Sequence, residues 1–265
     1  MLRKRPQRYG ELNKYYTLPR SKPMKSCYFT MNLFYTTTIN DKLASLPEDE
    51  ARHCLQALRH KVGDTIYITD GKGNLFEARI VEAGKKKCSA FLEKTMPAAI
   101  PRNHYLHLAI APTKNITRLE WFLEKATEIG IDEITLLVSE HSERRKLRLD
   151  RLEKILVSAM KQSLKANLPR LNDRVGFQEF IRQPLEPGME KYMAYLWPGV
   201  KGPLKDNYQA GRSVCILVGP EGGFSPAEAQ ATLSAGFIPV SLGPSRLRTE
   251  TAGIVACHTI NLLNQ

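Results

Sequence analysis

The chain contains an apolar run, Val214–Val218, in which hydrophobic and polar positions do not alternate. Such a run is typical of a strand that is buried on both faces of a parallel sheet. A glycine cluster follows it directly. Ser225 and Pro226 then occupy the N-cap and first helical positions of a helix, and Glu228 is placed to complete a capping box. The pattern predicts a strand, a glycine loop and a helix that follow one another without a spacer.

A second unit of the same kind follows it. Residues 237–242 are predicted to form a short strand that Gly243 and Pro244 end, and Thr249 is predicted to cap a helix that runs to Leu263. Open α/β folds bind ligands at the carboxyl ends of their strands, so we expect two loops from neighbouring strands to converge on one pocket built from backbone. Each loop taken by itself also fits an ordinary tight turn between a strand and a helix.

Strands and helices alternate through the rest of the second half of the chain. Strands are predicted at residues 106–111, 133–138 and 191–196, and helices at 117–129 and 150–165. Thr117 and Glu120 have the spacing of a capping box, and Gly130 is a suitable C-cap. This alternation is typical of an α/β sheet.

The first half of the chain has the pattern of a small β-rich domain. A helix is predicted at residues 47–60, and strands at 65–69, 75–81 and 86–92, with a hairpin turn at residues 70–73. We therefore expect four segments: a basic leader at 1–30, a β domain at 31–96, a linker at 97–103 and an α/β domain at 104–265.

Basic residues are concentrated at the amino terminus. The formal net charge is +12, and residues 1–30 hold eight Lys or Arg and one acidic residue. A basic chain of this kind favours a polyanionic partner. The leader lacks apolar periodicity and the apolar core of a secretory signal, so it is predicted to be disordered. We expect it to be a start-site artefact or a nonessential arm, and a species-specific RNA-binding arm is the alternative.

Composition excludes several classes of protein. No apolar stretch approaches the ~20 residues of a membrane span. The five cysteines have no Cys-x-x-Cys spacing, and the six histidines form no His-Glu-x-x-His motif. We expect no membrane association, no metal site and reduced thiols in a cytoplasmic protein. The glycine loops match neither a dinucleotide fingerprint nor a nucleoside-triphosphate loop.

The two loops resemble a known family. Residues 219–225 read Gly-Pro-Glu-Gly-Gly-Phe-Ser, and residues 242–252 read Leu-Gly-Pro-Ser-Arg-Leu-Arg-Thr-Glu-Thr-Ala. This pair is similar to the signature of the RsmE family, ribosomal RNA uridine-N3 methyltransferases of the SPOUT superfamily. The resemblance extends over residues 119–134, 162–169 and 53–71, and so covers roughly residues 31–265.

The resemblance implies a fold, a cofactor and partners. The implied fold is a PUA-like β-barrel domain that binds RNA, followed by an α/β SPOUT methyltransferase domain with a carboxy-terminal trefoil knot. The implied cofactor is S-adenosyl-L-methionine (SAM), and the implied assembly is a homodimer. The implied reaction is methyl transfer to N3 of a specific uridine in 16S ribosomal RNA of the small subunit, as part of ribosome biogenesis. The alternatives are another SPOUT enzyme that methylates a ribose hydroxyl or a tRNA base, and a non-catalytic RNA-binding assembly factor.

The cofactor-binding residues are expected in and around the two loops, where small residues and backbone groups permit close approach to a ligand. The expected set is Leu196, Leu217, Val218, Gly219, Pro220, Glu221, Gly222, Gly223, Leu242, Gly243, Ser245, Leu247, Thr249, Thr251 and Ala252.

Transfer to N3 requires loss of the uracil proton, so a base or a group that stabilises an anion is needed. Glu221 is a candidate for that base, and a local capping or pairing role fits it equally well. Arg246 and Arg248 are candidates for stabilising charge on the uracil oxygens, and either fits equally as a structural partner of Glu250.

Phosphate contacts are expected from Arg52, Arg59, Lys61, Lys72 and Lys165, and a solvated charged face is the alternative. The family often has arginine at the position of Lys165. Lysine there keeps the charge but lacks the bidentate fork.

Overall fold

A computed structural model describes residues 31–97, 102–143, 147–195 and 200–265 of the chain. The leader expected at residues 1–30, most of the linker expected at 97–103, and the candidate residue Leu196 lie outside these ranges. Residues 32–265 form one compact unit.

The first sheet has six strands in the order β1-β4-β5-β6-β3-β2. Only β1 and β4 pair in parallel. Two register shifts between β5 and β6 curl the sheet, as β-bulges do. The strands are Leu33–Tyr35 (β1), Ile39–Asn40 (β2), Leu43–Ser45 (β3), Thr65–Thr69 (β4), Leu75–Ala83 (β5) and Cys88–Met96 (β6).

Alternating side chains of these strands form a separate core. Ile66 and Ile68 of β4 pack with Ala78 and Ile80 of β5, and all four are buried. The period-2 pattern in the sequence therefore marks the inner face of the curled sheet.

The helix predicted at residues 47–60 is shorter and less regular. A helix α1, Glu48–Arg52, passes directly into a π-helical segment, His53–Ala57. The amide of Leu58 donates to the carbonyl oxygen of His53 at 3.0 Å, which is an i to i+5 bond. Arg59 then has a φ of 60°, which ends the element. The prediction is wrong here because apolar spacing does not distinguish a widened turn from an α-helical one.

The second sheet is entirely parallel, with the order β12-β10-β11-β7-β8-β9. Its strands are Leu106–Ile110 (β7), Glu133–Val138 (β8), Arg170–Gly176 (β9), Glu190–Ala194 (β10), Val214–Val218 (β11) and Ile238–Val240 (β12). The helices are Ile116–Ile129 (α2), Leu149–Gln162 (α3), Phe177–Arg182 (α4), Leu204–Asn207 (α5), Pro226–Ser234 (α6) and Thr249–Leu263 (α7).

Helices cover both faces of this sheet. On one face α2, α3 and α7 pack against Leu108, Ile110 and Ile216. On the other face α4 and α6 contribute to a second core around Ala109, Leu217 and Phe224. Every residue of β7 and β11 is buried, which explains why the apolar run at 214–218 shows no alternation.

Several predicted helix ends differ from the structure. The N-cap of α2 is Asn115, whose side chain accepts from the amide of Thr117, so the capping box assigned to Thr117 is wrong. Helix α3 ends at Gln162 instead of 165, and Leu164 has a φ of 54°. Thr249 is the first residue of α7 and not its cap. Helix ends depend on single side-chain contacts, which periodicity does not report.

The turn between β4 and β5 contacts the segment after α3. The amide of Gly73 donates to the carbonyl oxygen of Ala166 at 3.0 Å, and the amide of Leu168 donates to that of Gly71 at 2.8 Å. A largely buried ion pair between Lys161 and Glu50 lies at the same junction. These bonds join the curled sheet to the parallel sheet.

Within the described ranges, no helix combines the length and apolar character needed to cross a bilayer. The same residues contain no group of three or more His, Cys, Asp or Glu side chains arranged to hold a metal ion. Cys54, Cys88, Cys215 and Cys257 are free and buried, and burial raises the pKa of Cys257 to about 12.

Candidate functional site

The first glycine loop leaves the carboxyl end of β11. The amide of Gly223 donates to the carbonyl oxygen of Pro220 at 2.8 Å, and Gly223 has a φ of 72°, a conformation that favours glycine. Ser225 then caps α6, and both bonds of the capping box with Glu228 are present. The predicted succession of strand, loop and helix is confirmed.

The second loop leaves β12. Gly243 has a φ of 130°, and its amide donates to Oγ of Ser241 at 3.0 Å. We expected the two loops to come from neighbouring strands, but β10 lies between β11 and β12. The loops nevertheless converge, because the Thr249 hydroxyl donates to the carbonyl oxygen of Gly219 at 3.0 Å.

The two loops enclose a cavity of about 590 Å³, which is within the range of small-molecule sites. Most of the expected cofactor set lines it, namely Val218, Gly219, Pro220, Glu221, Gly222, Gly223, Leu242, Gly243, Ser245, Leu247, Thr249 and Ala252. Arg246 and Arg248 line it as well. Leu217 does not line the cavity, since it is fully buried in the core on the α4 and α6 face, and Thr251 does not line it either.

Five further residues line the cavity that sequence reasoning missed: Arg118, Ala194, Tyr195, Phe224 and Pro226. Ala194 ends β10 and Tyr195 follows it, so the position of β10 between the two loop-bearing strands brings them to the site. Arg118 comes from the first turn of α2, far from both motifs in sequence. No motif in the sequence marks it.

A histidine also covers the first loop from outside the cavity lining. Nδ1 of His141 lies 3.0 Å from the carbonyl oxygen of Gly223, at hydrogen-bond distance. A Cβ atom on Gly222 would lie 3.0 Å from the Cβ of His141, so only glycine fits there without displacing the histidine. The loop after β8 thus supports the backbone of the glycine loop.

Glu221 is already engaged by the protein. Its Oε1 accepts a hydrogen bond from the amide of Lys114 at 3.1 Å, just before α2. This contact favours the local pairing role over that of a free base, although Glu221 also lines the cavity.

Glu250 pairs with an arginine that was not considered. Its Oε1 lies 3.6 Å from Nε of Arg118. The structure therefore pairs Glu250 with Arg118 and not with Arg246 or Arg248. Arg246 and Arg248 are exposed at the cavity wall. Three arginines and one glutamate therefore line the cavity, which favours negative charge within it.

The five candidate RNA contacts lie away from the cavity. Arg52, Arg59, Lys61 and Lys72 are exposed on the curled-sheet domain, where Arg52 pairs with Glu48 at 2.9 Å. Lys165 is half-buried after α3, and burial, followed by the charge of Arg102, lowers its pKa. Lys72 forms a backbone bridge with Asn167, two residues after Lys165.

A buried polar network lies at the other edge of the parallel sheet. Tyr105 and Asn172 donate to the carboxylate of Glu133 at 2.8 and 2.6 Å, and Nε2 of His107 lies 2.7 Å from the Thr135 hydroxyl. Burial lowers the pKa of His107. These groups lie at the amino ends of β7, β8 and β9, so they are separate from the glycine loops.

Comparison with known protein families assigns both parts of the fold. Residues 101–261 match the RNA methyltransferase domain model, and residues 46–93 match the RNA methyltransferase PUA domain model. The ribosomal RNA small subunit methyltransferase E of Buchnera aphidicola subsp. Acyrthosiphon pisum is 29% identical over 222 residues, which span 81% of this chain and 86% of the relative. The chain belongs to the RsmE family of RNA methyltransferases.

Solved structures of rRNA methyltransferases agree with the fold. A probable rRNA-methyltransferase from Porphyromonas gingivalis is 45% identical with a TM-score of 0.82, over 88% of this chain and 98% of that chain. The ribosomal RNA small subunit methyltransferase E from Neisseria gonorrhoeae, bound to S-adenosyl methionine, is 27% identical with a TM-score of 0.79 and the same two coverages. The predicted class, an α/β methyltransferase domain preceded by a PUA-like domain, is confirmed.

Proposed function

We propose that this protein transfers a methyl group from SAM to N3 of a uridine in 16S ribosomal RNA of the small subunit. The observation that carries the proposal is the convergence of the two glycine loops, joined by Thr249 and Gly219, on a cavity at the carboxyl edge of the parallel sheet. The Neisseria relative, which shares this fold, is named for small-subunit ribosomal RNA and was solved with S-adenosyl methionine.

The residues of the cavity fit SAM in size and chemistry. A cavity of about 590 Å³ accommodates a ligand of this kind. Gly219, Gly223 and Gly243 line the cavity without side chains, so a ligand can approach the loop backbone closely, while Leu242 and Leu247 offer apolar surface to an adenine ring. When bound, SAM supplies an electrophilic methyl group on a sulfonium. The protein supplies orientation and charge around the acceptor.

The acceptor must become anionic before it attacks. The N3 proton of uracil passes to solvent water, and the negative charge spreads onto the two carbonyl oxygens. N3 then forms its bond to the methyl carbon as the bond from that carbon to the sulfonium sulfur breaks. The arginines that line the cavity are suited to stabilise that charge, and the engaged carboxylate of Glu221 is suited to hold the loop next to α2. Arg246 and Arg248 are proposed to stabilise the negative charge on the uracil oxygens on this basis.

The PUA-like domain holds the RNA. Arg52, Arg59, Lys61 and Lys72 are exposed there, as phosphate contacts require, and Lys165 contributes from the edge of the methyltransferase domain. The substrate is the small ribosomal subunit, so the proposed location of the enzyme is the cytoplasm.

The working unit is a homodimer with a knotted methyltransferase domain. Trp121 on α2 and Leu262 on α7 are 44% and 53% exposed, and α2 and α7 pack against each other, so these two helices offer exposed apolar side chains to a second copy. The knot is proposed from the family resemblance, and the strand order β10-β11-β7 and the packing of α7 against β7 and α2 are compatible with it.

Mapping of the methylated atom tests the proposed function. Small subunits from a strain that lacks the gene are incubated with the protein and SAM, and the product is located by mass spectrometry of nuclease fragments. A new 3-methyluridine is expected in 16S RNA. A methylated ribose or a modified tRNA base would show a different methyltransferase. SAM that does not bind in calorimetry would favour a non-catalytic RNA-binding factor.

A further inference from the structure

Arg118 is the only cavity-lining arginine that lies within a helix of the described structure. It is in the first turn of α2, whose start is fixed by the Asn115 cap. Its side chain is 37% exposed, so the stem is held by the protein while the guanidinium reaches the cavity. Arg246 and Arg248, by contrast, lie in the second loop and are exposed.

A buried carboxylate orients Arg118. Glu250, in the first turn of α7, is 9% exposed in its side chain, and its Oε1 lies 3.6 Å from Nε of Arg118. Within the described residues, Oε2 of Glu250 is buried and has no hydrogen-bond partner. A buried carboxylate without an adjacent cation is costly, so Glu250 stabilises the guanidinium in this position.

The pairing leaves part of the guanidinium available. Arg118 contacts Glu250 through Nε, and no hydrogen bond from its two Nη groups to the described residues is found. These groups form the planar fork that matches a carbonyl or carboxylate oxygen. A charge that is fixed before the reaction contributes more to catalysis than one that must be ordered during it.

We propose that Arg118 is a further residue that stabilises the uracil anion, and that Glu250 is its positioning residue. The inference rests on the proposed function, because it needs a uracil that loses its N3 proton. The Nη groups of Arg118 donate to a carbonyl oxygen of the target base as negative charge develops there. Arg246 and Arg248, on the exposed loop, add their charge to the same anion.

The test uses variants that keep the fold. In Arg118→Gln with Glu250→Gln, both charges are removed and a hydrogen bond between the two side chains is still possible, so no buried charge is left unpaired. The single variants Arg118→Lys and Glu250→Gln complete the set. Arg151→Gln is the matched control, because the exposed Arg151 pairs with the largely buried carboxylate of Glu120 at 2.7 Å outside the cavity.

Turnover on small subunits and SAM affinity by calorimetry are measured for each variant. For the double variant we expect kcat to fall by about 10²-fold, with the Kd for SAM changed by less than about threefold. The kcat of Glu250→Gln should fall less than that of the double variant, and the kcat of Arg151→Gln should match that of the wild type. An unchanged kcat in the double variant overturns the proposal. An equal loss of kcat and SAM affinity also overturns it, since Arg118 would then bind the cofactor.

A substrate with a more acidic base separates charge stabilisation from a structural role. Small subunits are reconstituted on 16S RNA transcribed with 5-fluorouridine, whose N3 ionises more readily. On this substrate the kcat of the double variant should lie closer to that of the wild type than it does on ordinary subunits. An equal loss of kcat on both substrates overturns the proposal. If the wild-type protein forms no 3-methyluridine on ordinary subunits, it is the proposed function that fails.

Discussion

The hydroxyl of Thr249 donates a hydrogen bond to the carbonyl oxygen of Gly219 at 3.0 Å. These residues belong to the two different loops, and Thr249 is only 4% exposed. The bond therefore joins the first turn of α7 to the end of β11 across the cavity wall. It fixes the distance between the loops before any ligand arrives, which lowers the entropic cost of binding.

Replacement of Thr249 by valine should loosen this connection. Valine keeps the shape of the side chain but leaves the half-buried carbonyl of Gly219 without this donor, so we expect a loss of about 1 kcal/mol in the free energy of unfolding. SAM affinity should fall several-fold. Urea denaturation and calorimetry measure the two effects. Thr251→Val is the control, because Thr251 does not line the cavity and should change neither quantity appreciably.

Gly223→Val tests whether the first loop binds the cofactor. Gly223 has a φ of 72°, and a Cβ there would meet no protein atom within 4 Å, because it would point into open space beside the cavity wall. We expect SAM affinity to fall by about tenfold or more. Gly236→Val is closely matched, since Gly236 has a φ of 83° and equally open surroundings but lies outside the cavity. Both variants should lose similar stability. Equal SAM affinity in the two would place the cofactor elsewhere.

The first loop could be predicted from sequence because its determinants are local. The run Val214–Val218 is buried on both faces, and the Ser225 and Glu228 side chains make both bonds of a capping box. The π-helical turn at His53–Ala57 and the Asn115 cap depend on individual hydrogen bonds that apolar spacing does not report. Those elements were therefore placed wrongly.

The rest of the site depends on topology. Tyr195 reaches the cavity because β10 is inserted between β11 and β12, and Arg118 reaches it because α2 packs beside α7. Strand order is a long-range property, so neither residue could be found from the motifs. The pairing of Glu250 with Arg118 was missed for the same reason, although Glu250 itself lies within the second motif.

Charge substitution on α2 and α7 tests the proposed homodimer. The wild-type protein should sediment as a dimer, and Trp121→Lys with Leu262→Lys should shift it towards monomer, because two charges would be buried in an apolar interface. Leu233→Lys is the control. Leu233 is 46% exposed on α6, which covers the opposite face of the sheet. A wild-type monomer, or loss of the dimer only in Leu233→Lys, would contradict the proposed interface.

His104 should make the stability of the protein depend on pH. Nε2 of His104 lies 2.7 Å from Nη2 of Arg102, and Nδ1 lies 2.9 Å from Oδ1 of Asn103, an arrangement that suits a neutral ring. Burial, followed by the charge of Arg102, lowers the pKa of His104 to about 4 from 6.5. Between these two values the unfolded chain binds a proton that the folded protein does not bind. Stability from this group is therefore complete above pH 6.5 and is lost as the pH falls towards 4.

The full pKa shift of His104 would correspond to about 3 kcal/mol in the free energy of unfolding. Because this side chain is only half-buried and is partly screened by solvent, we expect a contribution of about 1 kcal/mol. Urea denaturation of wild type and His104→Gln at pH 7 and pH 5 measures this contribution. From pH 7 to pH 5 the variant should lose less free energy of unfolding than the wild type. Asp132 contributes in the opposite direction, since burial raises its pKa, but it is present in both proteins and cancels in the comparison. His258→Gln, at an exposed position on α7, is the matched control for the loss of a histidine. Identical pH dependence in His104→Gln and wild type would show that the ring is protonated in the folded protein.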